Sequence, residues 1–322
     1  MTRGVEEKAR ESDASRASRA TDTPRSPLDP EVARRAAALS YRAKSAVEGL
    51  LSGMHRSPHR GPSVVFVEHR DYRPGDEPRL LDWRAFARTD RHVVKRFEQE
   101  TQLRAWVLLD RSASMAWGGF ADDPSTRKDA HGAALLAALS YLLLRQGDAA
   151  GGGGFDVALH DDLLPPGSRP AHFEQLMLRL ARPASADAHT DLAEALRNGV
   201  ERAGRRGVVA VASDFLDRRV EAFAPLAQLV ARGHEVVVFH VLHRDELELP
   251  LHGAARFLGL EGETPVEADL DTVREDYLRE VRAFVDATRD ACAAAGARYL
   301  LTPTDVPVER SLAELVGRRR RR

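Results

Sequence analysis

The chain has 322 residues, of which 43% are hydrophobic and 30% are charged, a composition typical of globular proteins. The formal net charge of −1 argues against a general binder of nucleic acid or of membrane surfaces. The single cysteine, Cys292, excludes an internal disulfide framework. The N-terminus lacks the apolar core of a signal peptide, and no apolar run reaches the roughly 18–20 residues that cross a bilayer. We therefore expect a cytoplasmic protein without a membrane span.

The first 102 residues contain a tail, one helix and a charged segment. Residues 1–28 are rich in Ser, Arg, Asp and Pro without periodicity, which indicates a disordered tail. Asp29 as N-cap and Pro30 at the first helical position predict a helix that ends near Gly53. The rest of the segment 29–102 is β-rich, with turns at its Gly-Pro and Pro-Gly pairs.

Residues 103–317 alternate between short apolar segments and helical patterns. The apolar segments are nearly continuous runs of Val, Leu and Ala, which suits parallel strands buried on both faces. Strand–helix alternation at this rhythm predicts an α/β fold with a doubly wound, mostly parallel sheet. The predicted strands are 103–110, 155–164, 207–214, 234–242 and 297–301. The predicted helices are 125–145, 171–181, 191–204, 220–232, 271–295 and 309–317.

Two segments depart from this rhythm. Four glycines at 151–154 lie where an apolar strand would be expected, and they weaken strand pairing. The region 246–270 interrupts the alternation with a predicted hairpin insertion, "ARFLGLEGETPVEAD", whose turn lies near Gly262. The chain ends in a basic tail at 318–322, which a solvated end explains more simply than a contact with nucleic acid.

The stretch "WVLLDRSASM" ends a buried segment with one acid and two hydroxyls. The carboxyl ends of parallel strands meet at one edge of a sheet, where open α/β folds bind ligands. Asp110 and Asp214 each end a predicted strand, and Thr190 opens the helix that leads to the second of them. Ser112 and Ser114, two apart in a loop, can both turn their hydroxyls toward one ion. This oxygen-only set predicts a site for a hard divalent ion, magnesium or manganese above all.

Each of these residues also has a structural explanation. The Asp-x-Ser pattern fits a strand-to-loop turn that hydrogen-bonds local backbone, Thr190 fits a helix N-cap, and Asp214 fits a turn before a helix. For each residue alone the structural explanation is the simpler one. Five such residues at strand ends, in this order, favour the metal site.

The order Asp-x-Ser-x-Ser, then Thr in "HTDLAEAL" and Asp in "VVAVASDFLD", resembles the metal-ion-dependent adhesion site of von Willebrand factor A domains. The block that begins "GMHRSPHRGPSVVFVEHRDYRPGDEPRLLDWRAFARTD" resembles the hallmark of a bacterial family of unknown function, typically encoded beside MoxR-type AAA+ ATPases. The resemblance covers Gly53 to about Ser311. Phe215 departs from it, because many A domains have glycine there, and so does the glycine run, where relatives have an apolar strand.

This resemblance implies a von Willebrand A-like fold in which Mg²⁺ or Mn²⁺ is held by Asp110, Ser112, Ser114, Thr190 and Asp214. In A domains the last coordination place is left to an acidic residue of a partner protein. The resemblance therefore implies an adaptor or chaperone-type protein that works with a MoxR-like AAA+ ATPase in the assembly or maturation of protein complexes. The acidic residue would come from that ATPase or from a client protein.

The segment between residues 70 and 88 contains many arginines and aspartates close in sequence to Tyr72 and Trp83. Arginine with aromatic residues is typical of interface hot spots, so this charged block is one candidate recognition surface. The alternative is an internal ion-pair network that docks the β-rich segment onto the α/β core. Acids and bases nearly balance here, which favours the internal network. The charged members are Arg70, Asp71, Arg73, Asp76, Arg79, Asp82, Arg84 and Arg88.

A magnesium-dependent hydrolase or phosphatase on a similar α/β fold is the main alternative function, because a strand-terminal aspartate can act as a nucleophile. Phosphatases that resemble the haloacid dehalogenase family have a second aspartate two positions later, where this chain has Ser112. The sequence also contains no G-x-x-x-x-G-K-[ST] loop and no G-x-S-x-G elbow. We therefore expect a non-enzymatic, divalent-metal-dependent protein-binding protein.

Overall fold

The structure is a computed structural model that describes residues 29–54, 66–72, 83–89, 93–97, 103–184, 191–204, 206–216, 223–257 and 266–319. Its helices are α1 (Pro30–Met54), α2 (Trp83–Thr89), α3 (Lys128–Arg145), α4 (Pro170–Leu180), α5 (Leu192–Ala203), α6 (Ala224–Ala231), α7 (Arg244–Glu248), α8 (Leu270–Ala294) and α9 (Val308–Arg319). Its strands are β1 (Phe66–Asp71), β2 (Val93–Phe97), β3 (Arg104–Asp110), β4 (Ala149–Phe155), β5 (Leu164–Gly167), β6 (Val208–Ser213), β7 (Glu235–Leu242), β8 (Ala254–Phe257), β9 (Val266–Asp269) and β10 (Arg298–Pro303). A 3₁₀ turn, Ala113–Ala116, follows β3.

The central sheet has six strands in the order β10-β7-β6-β3-β4-β5. Every neighbouring pair in it is parallel except β4 and β5, which are antiparallel. Numbered along the chain within this sheet, the order is 6-5-4-1-2-3, the doubly wound arrangement whose direction reverses between its first and fourth strands. The predicted fold class, an α/β fold with a doubly wound and mostly parallel sheet, is confirmed.

The sheet separates two layers of apolar packing. Successive side chains of a strand point to opposite faces, so Val107 and Leu109 belong to one core cluster and Leu108 to the other. One cluster also takes side chains from α1, α3, α4 and α9, and the other takes them from α5, α6 and α8. Because both faces are covered, the central strands show unbroken apolar runs rather than alternation.

The glycine run forms β4, so the strand predicted at 155–164 is wrong in position. A Cβ at Gly151 would lie 2.3 Å from the Leu164 carbonyl oxygen, and one at Gly154 would lie 2.5 Å from Nε of Arg111. Glycine therefore lets β5 and the Arg111 side chain approach the backbone of β4 closely. Pairing with β3 and β5, together with the buried Phe155 at the end of the strand, stabilises β4.

Smaller elements surround the sheet. Antiparallel strands β8 and β9 form the hairpin predicted within 246–270, and β1 pairs with β2 in a separate antiparallel pair. Helix α1 begins at Pro30, as predicted, where the Asp29 carboxylate accepts a hydrogen bond of 2.9 Å from the Glu31 backbone N–H. In the part of the chain that the structure describes, none of the helices combines the length and apolarity needed to cross a membrane. Most of the charged block at 70–88 lies outside the described residues.

Candidate metal-binding site

Two buried aspartates lie where the strand order of the sheet reverses. Asp110 is the last residue of β3, Asp214 directly follows β6, and these two strands are neighbours. Asp110 is 0% exposed and Asp214 is 2% exposed. In doubly wound sheets the crevice beyond the carboxyl ends of the strands at this point is the usual ligand site. The structure thus brings together the two carboxylates that the sequence assigned to one site.

Both carboxylate oxygens of Asp110 accept hydrogen bonds from the chain. Its Oδ1 accepts from the Ser112 backbone N–H at 2.9 Å, and its Oδ2 accepts from the Ser213 hydroxyl at 2.5 Å. Burial, and after it the charge of Asp214, raises the pKa of Asp110 to about 7. Two ionised carboxylates are therefore costly here, and a cation held near them offsets that cost.

The hydroxyls of Ser112 and Ser114 meet beside these carboxylates. Their Oγ atoms are 3.0 Å apart and both residues are buried. Two oxygen ligands in neighbouring positions around an octahedral Mg²⁺ at about 2.1 Å lie about 3.0 Å apart, so the pair fits that ion. Within the described ranges no three His, Cys, Asp or Glu side chains form a metal cluster.

The Arg111 side chain, between Asp110 and Ser112 in the sequence, points toward β4 and α4. It passes close to Gly154 in β4, and its Nη2 donates a hydrogen bond of 2.5 Å to the Arg179 carbonyl oxygen. Ala113 is buried at the start of the 3₁₀ turn. That turn brings Ser114 back beside Ser112, which explains the alternate spacing of the hydroxyls.

The fifth predicted ligand, Thr190, lies outside the described residues. The described chain resumes at Asp191, whose backbone N–H donates to the Asp156 carbonyl oxygen at 3.3 Å, just beyond β4. The Asp191 side chain caps α5 by accepting a hydrogen bond from the Glu194 backbone N–H at 2.9 Å. Helix α5 therefore starts at the same edge of the sheet as the two aspartates.

Lys128, the first residue of α3, was not among the predicted site residues. Its Nζ lies 2.8 Å from Oδ2 of Asp214 and 2.7 Å from Oε1 of Glu246 in α7, and its side chain is 1% exposed. Although burial opposes ionisation, Asp214 and Glu246 together raise the pKa of Lys128 above its usual value. One signal was available: Lys128 is one of only four lysines in an arginine-rich chain, and it lies five residues before the apolar run of α3 that begins at Ala133.

His240 in β7 holds the backbone of Asp214. Its Nε2 lies 2.9 Å from the Asp214 carbonyl oxygen, and its Nδ1 lies 2.7 Å from the Tyr299 hydroxyl. Burial lowers the pKa of His240 to about 4, so the ring is neutral near pH 7. A carbonyl oxygen only accepts, so Nε2 donates to Asp214 and Nδ1 accepts from Tyr299. This second contact, also missed from the sequence, fixes the loop after β6.

Exposed apolar side chains surround the buried polar centre. Phe120, Val157 and Leu216 are all exposed, and they follow β3, β4 and β6 at the carboxyl edge of the sheet. Trp117 packs edge-on against Phe120, with ring centroids 5.4 Å apart, and against His243 at 5.1 Å. This edge therefore combines a buried group of acids and hydroxyls with an apolar rim.

Three similar proteins are described as uncharacterized proteins. A protein of Mycobacterium tuberculosis is 28% identical over 300 residues, which is 91% of each chain, and a Mycobacterium bovis protein matches equally. The protein YeaD of Bacillus subtilis is 26% identical over 136 residues, 42% of this chain and 29% of that protein.

Two solved structures align with much of this chain, both at low sequence identity. The hypothetical protein BatB from Bacteroides thetaiotaomicron has a TM-score of 0.42 at 13% identity, covering 68% of this chain and all of that one. The VWA domain of SpRpn10 has a TM-score of 0.35 at 10% identity, covering 66% of this chain and 94% of that one. Residues 68–286, well over half of this chain, match the model of a family described as a protein of unknown function, DUF58, and the chain therefore belongs to the DUF58 family.

Proposed function

We propose that this chain is a non-enzymatic protein-binding protein that uses Mg²⁺ or Mn²⁺ at the carboxyl edge of its sheet to bind an acidic residue of a partner. The observation that carries the proposal is the pair of buried hydroxyls, Ser112 and Ser114, 3.0 Å apart and next to the buried Asp110. The residues that would hold the ion are Asp110, Ser112, Ser114, Thr190 and Asp214.

The chain's own residues prepare this site before any partner arrives. Asp110 fixes the loop after β3 through the Ser112 backbone, and the Ser213 hydroxyl links Asp110 to β6. His240 fixes the loop after β6 through the Asp214 carbonyl oxygen. A bound divalent ion supplies a positive attachment point for a carboxylate of another protein. The residues around the site thus act by orienting oxygen ligands and by excluding water.

The rim of the site suits a protein partner better than a small substrate. Phe120, Val157 and Leu216 expose apolar surface on three loops of the same edge. Apolar anchors that exclude water around a charged contact are typical of protein–protein hot spots. An acidic residue flanked by apolar side chains would match both parts of this surface.

The environment of Asp110 disfavours the alternative of a phosphatase or hydrolase. A carboxylate nucleophile must itself reach the substrate, yet Asp110 is 0% exposed and both its oxygens accept hydrogen bonds. Binding an ion or its water needs only a remaining lone pair, and each carboxylate oxygen has two. Ser112, two positions later, has no acid–base capacity near neutral pH. The proposed role is therefore binding rather than group transfer.

A MoxR-type AAA+ ATPase, alone or with a client protein, is the partner that we propose. The support is the resemblance of the block at Gly53 and beyond to a family encoded beside such ATPases, together with the membership of the DUF58 family. The function would then be to link the ATPase to protein complexes that it helps to assemble or mature.

Binding of a purified MoxR-type ATPase from the same genome to the immobilised chain tests this proposal. The measurement is repeated with Mg²⁺, with Mn²⁺ and with EDTA, and with the double variant Ser112→Ala, Ser114→Ala. Serine 125, which hydrogen-bonds Asp123 in the exposed loop before α3, provides the matched control Ser125→Ala. We expect EDTA and the double variant to weaken binding at least about tenfold, while the control binds like the wild type.

Equal binding in every condition would show that the metal site is not the attachment point. The charged block at 70–88 would then be the surface to test next. Binding that needs Mg²⁺ yet persists in the double variant would place the ion elsewhere in the chain.

A further inference from the structure

We propose that Lys128 is a tethered cation of the candidate site: it balances the carboxylates when no metal is bound, and it weakens divalent binding by sharing Asp214. This inference rests on the proposed metal site and adds to it a residue that sets the affinity for the ion. The observation behind it is the buried ion pair of Lys128 with Asp214 and Glu246.

The Lys128 ammonium connects three separate segments at the carboxyl edge. It projects from the first turn of α3 and contacts Asp214 in the loop after β6 at 2.8 Å. It also contacts Glu246 at 2.7 Å in α7, the short helix that directly follows β7. Glu246 also accepts a hydrogen bond of 2.6 Å from the His243 backbone N–H, and this bond anchors the helix. One cation thus holds together the loops that would surround a bound ion.

The surroundings of Lys128 are those of a fixed cation, not of a solvent-exposed lysine. Its side chain is 1% exposed, and its Nζ lies 6.0 Å from the centre of the Trp117 ring, within the range of a cation–π contact. A buried ammonium is retained only where carboxylates compensate the loss of hydration. Asp214 and Glu246 provide that compensation directly, and removing either leaves the charge less well balanced.

The two oxygens of Asp214 have different partners. Oδ2 is held by Lys128 at 2.8 Å, whereas Oδ1 accepts one long hydrogen bond of 3.4 Å from the Leu216 backbone N–H. Oδ1 is therefore the oxygen best placed to serve a divalent ion or its water. An ion there and the ammonium on Oδ2 share one carboxylate, and their mutual repulsion lowers the affinity for the ion.

The net charge of the cluster formed by Lys128 and the nearby carboxylates favours binding of such an ion. Asp110, Asp214 and Glu246 supply three carboxylates, and Lys128 supplies the ammonium that pairs with two of them. Even without Asp110, two carboxylates face one ammonium, so the cluster is negative and a divalent ion adds to Lys128 rather than replacing it. Removing the ammonium makes the cluster more negative still, and divalent binding becomes tighter.

Calorimetric titration with Mg²⁺ alone compares the wild type with Lys128→Met, which removes the charge and keeps an unbranched side chain that is one heavy atom shorter. We expect the variant to bind Mg²⁺ at least about tenfold more tightly, within the usual range for coupling between two bound charges. We also expect its melting temperature to fall in EDTA and to recover more on adding Mg²⁺ than that of the wild type. Arg145→Met is the matched control, because Arg145 is exposed at the other end of α3, about 25 Å away.

A second pair of variants tests the inference without removing the lysine. Glu246→Gln removes one of the two carboxylates that contact the ammonium. The cluster loses a negative charge and Lys128 then shares Asp214 alone with the ion, so Mg²⁺ binding should weaken several-fold. Glu248→Gln removes the same charge two residues later from an exposed side chain that pairs with Arg244. It should leave Mg²⁺ affinity unchanged. This comparison remains informative if Lys128→Met does not fold.

The outcomes separate this inference from the proposed function. Mg²⁺ binding to the wild type with no gain in Lys128→Met, or with equal effects of the two glutamate variants, contradicts the role of Lys128 and leaves the metal site intact. Binding by Lys128→Met but not by the wild type supports the tethered cation and contradicts metal-dependent partner binding. Absence of Mg²⁺ binding to both proteins contradicts both.

Discussion

Phe215 illustrates how single residues shape the site, because it occupies a left-handed backbone conformation with φ 54° directly after Asp214. This conformation favours glycine, and a bulky residue in it costs about 1–3 kcal/mol. The Phe215 side chain is 1% exposed, and its ring lies 5.9 Å from the Phe223 ring in a stacked arrangement. Truncating a buried phenylalanine costs about 3–5 kcal/mol, so packing outweighs the backbone strain. The departure from glycine noted in the sequence therefore has a physical reason.

Phe215→Gly is expected to lower the free energy of unfolding by about 2–3 kcal/mol, the packing loss less the relieved strain. Chemical denaturation in urea measures this difference. Leu216→Gly changes the neighbouring exposed residue, and we expect it to cost less than about 1 kcal/mol. A Phe215→Gly protein more stable than the wild type would mean that backbone strain, and not packing, dominates at this position.

At the scale of secondary-structure elements, β4 shows that a buried strand of the central sheet can contain four consecutive glycines. It pairs with β3 over seven residues and with β5 on its other side. Its glycines do not face equal restrictions: a Cβ at Gly151 would meet the Leu164 carbonyl oxygen at 2.3 Å, whereas the nearest atom to a Cβ at Gly153 lies at 3.8 Å. The run therefore contains both required and replaceable glycines.

Gly151→Ala is expected to destabilise the protein by about 1–3 kcal/mol, because β5 must move to accommodate the methyl group. Gly153→Ala, two residues along the same strand, should change stability by less than about 1 kcal/mol and raise it slightly, since alanine restricts the unfolded chain. Thermal unfolding of the two variants side by side provides the measurement. Equal losses in both would show that glycine is needed throughout β4, for example for backbone geometry, and not for the approach of β5.

At the scale of the whole molecule, the sequence predicts the alternation of elements and the edge where the site lies, but not the contacts that cross between elements. Apolar runs such as that ending at Asp110 identify strands because their own side chains are buried. Strands β4 and β5 cannot be recognised in this way, because their glycines and prolines contribute little apolar surface and pairing with neighbouring strands stabilises them. The role of Lys128 cannot be predicted from the sequence either, because its partners lie 86 and 118 residues away and spacing along the chain does not reveal them.

Helix α1 belongs to the predicted segment 29–102, yet it packs into the core of the predicted α/β domain 103–317. Its apolar side chains enter the same core cluster as those of α3, α4 and α9, and the buried ones are Val32, Ala36, Leu39, Ala43, Ala46, Val47 and Leu50. Each fully buried Val or Leu contributes about 1.5–3 kcal/mol. Their sum is comparable to the total stability of a typical domain, about 5–15 kcal/mol.

A chain beginning at Leu103 should therefore fail to fold cooperatively, because it would expose the surfaces of α3, α4 and α9 that α1 covers. A chain beginning at Asp29 keeps α1 and should unfold at the same temperature as the full chain. Differential scanning calorimetry and light scattering of the two shortened chains measure melting and aggregation. If the chain from Leu103 melts cooperatively at the temperature of the full chain, α1 is an appendage, and the predicted boundary at residue 103 is the true edge of the folded unit. If it aggregates while the chain from Asp29 does not, the folded unit begins at α1, and the α/β domain that carries the site must be studied with that helix attached.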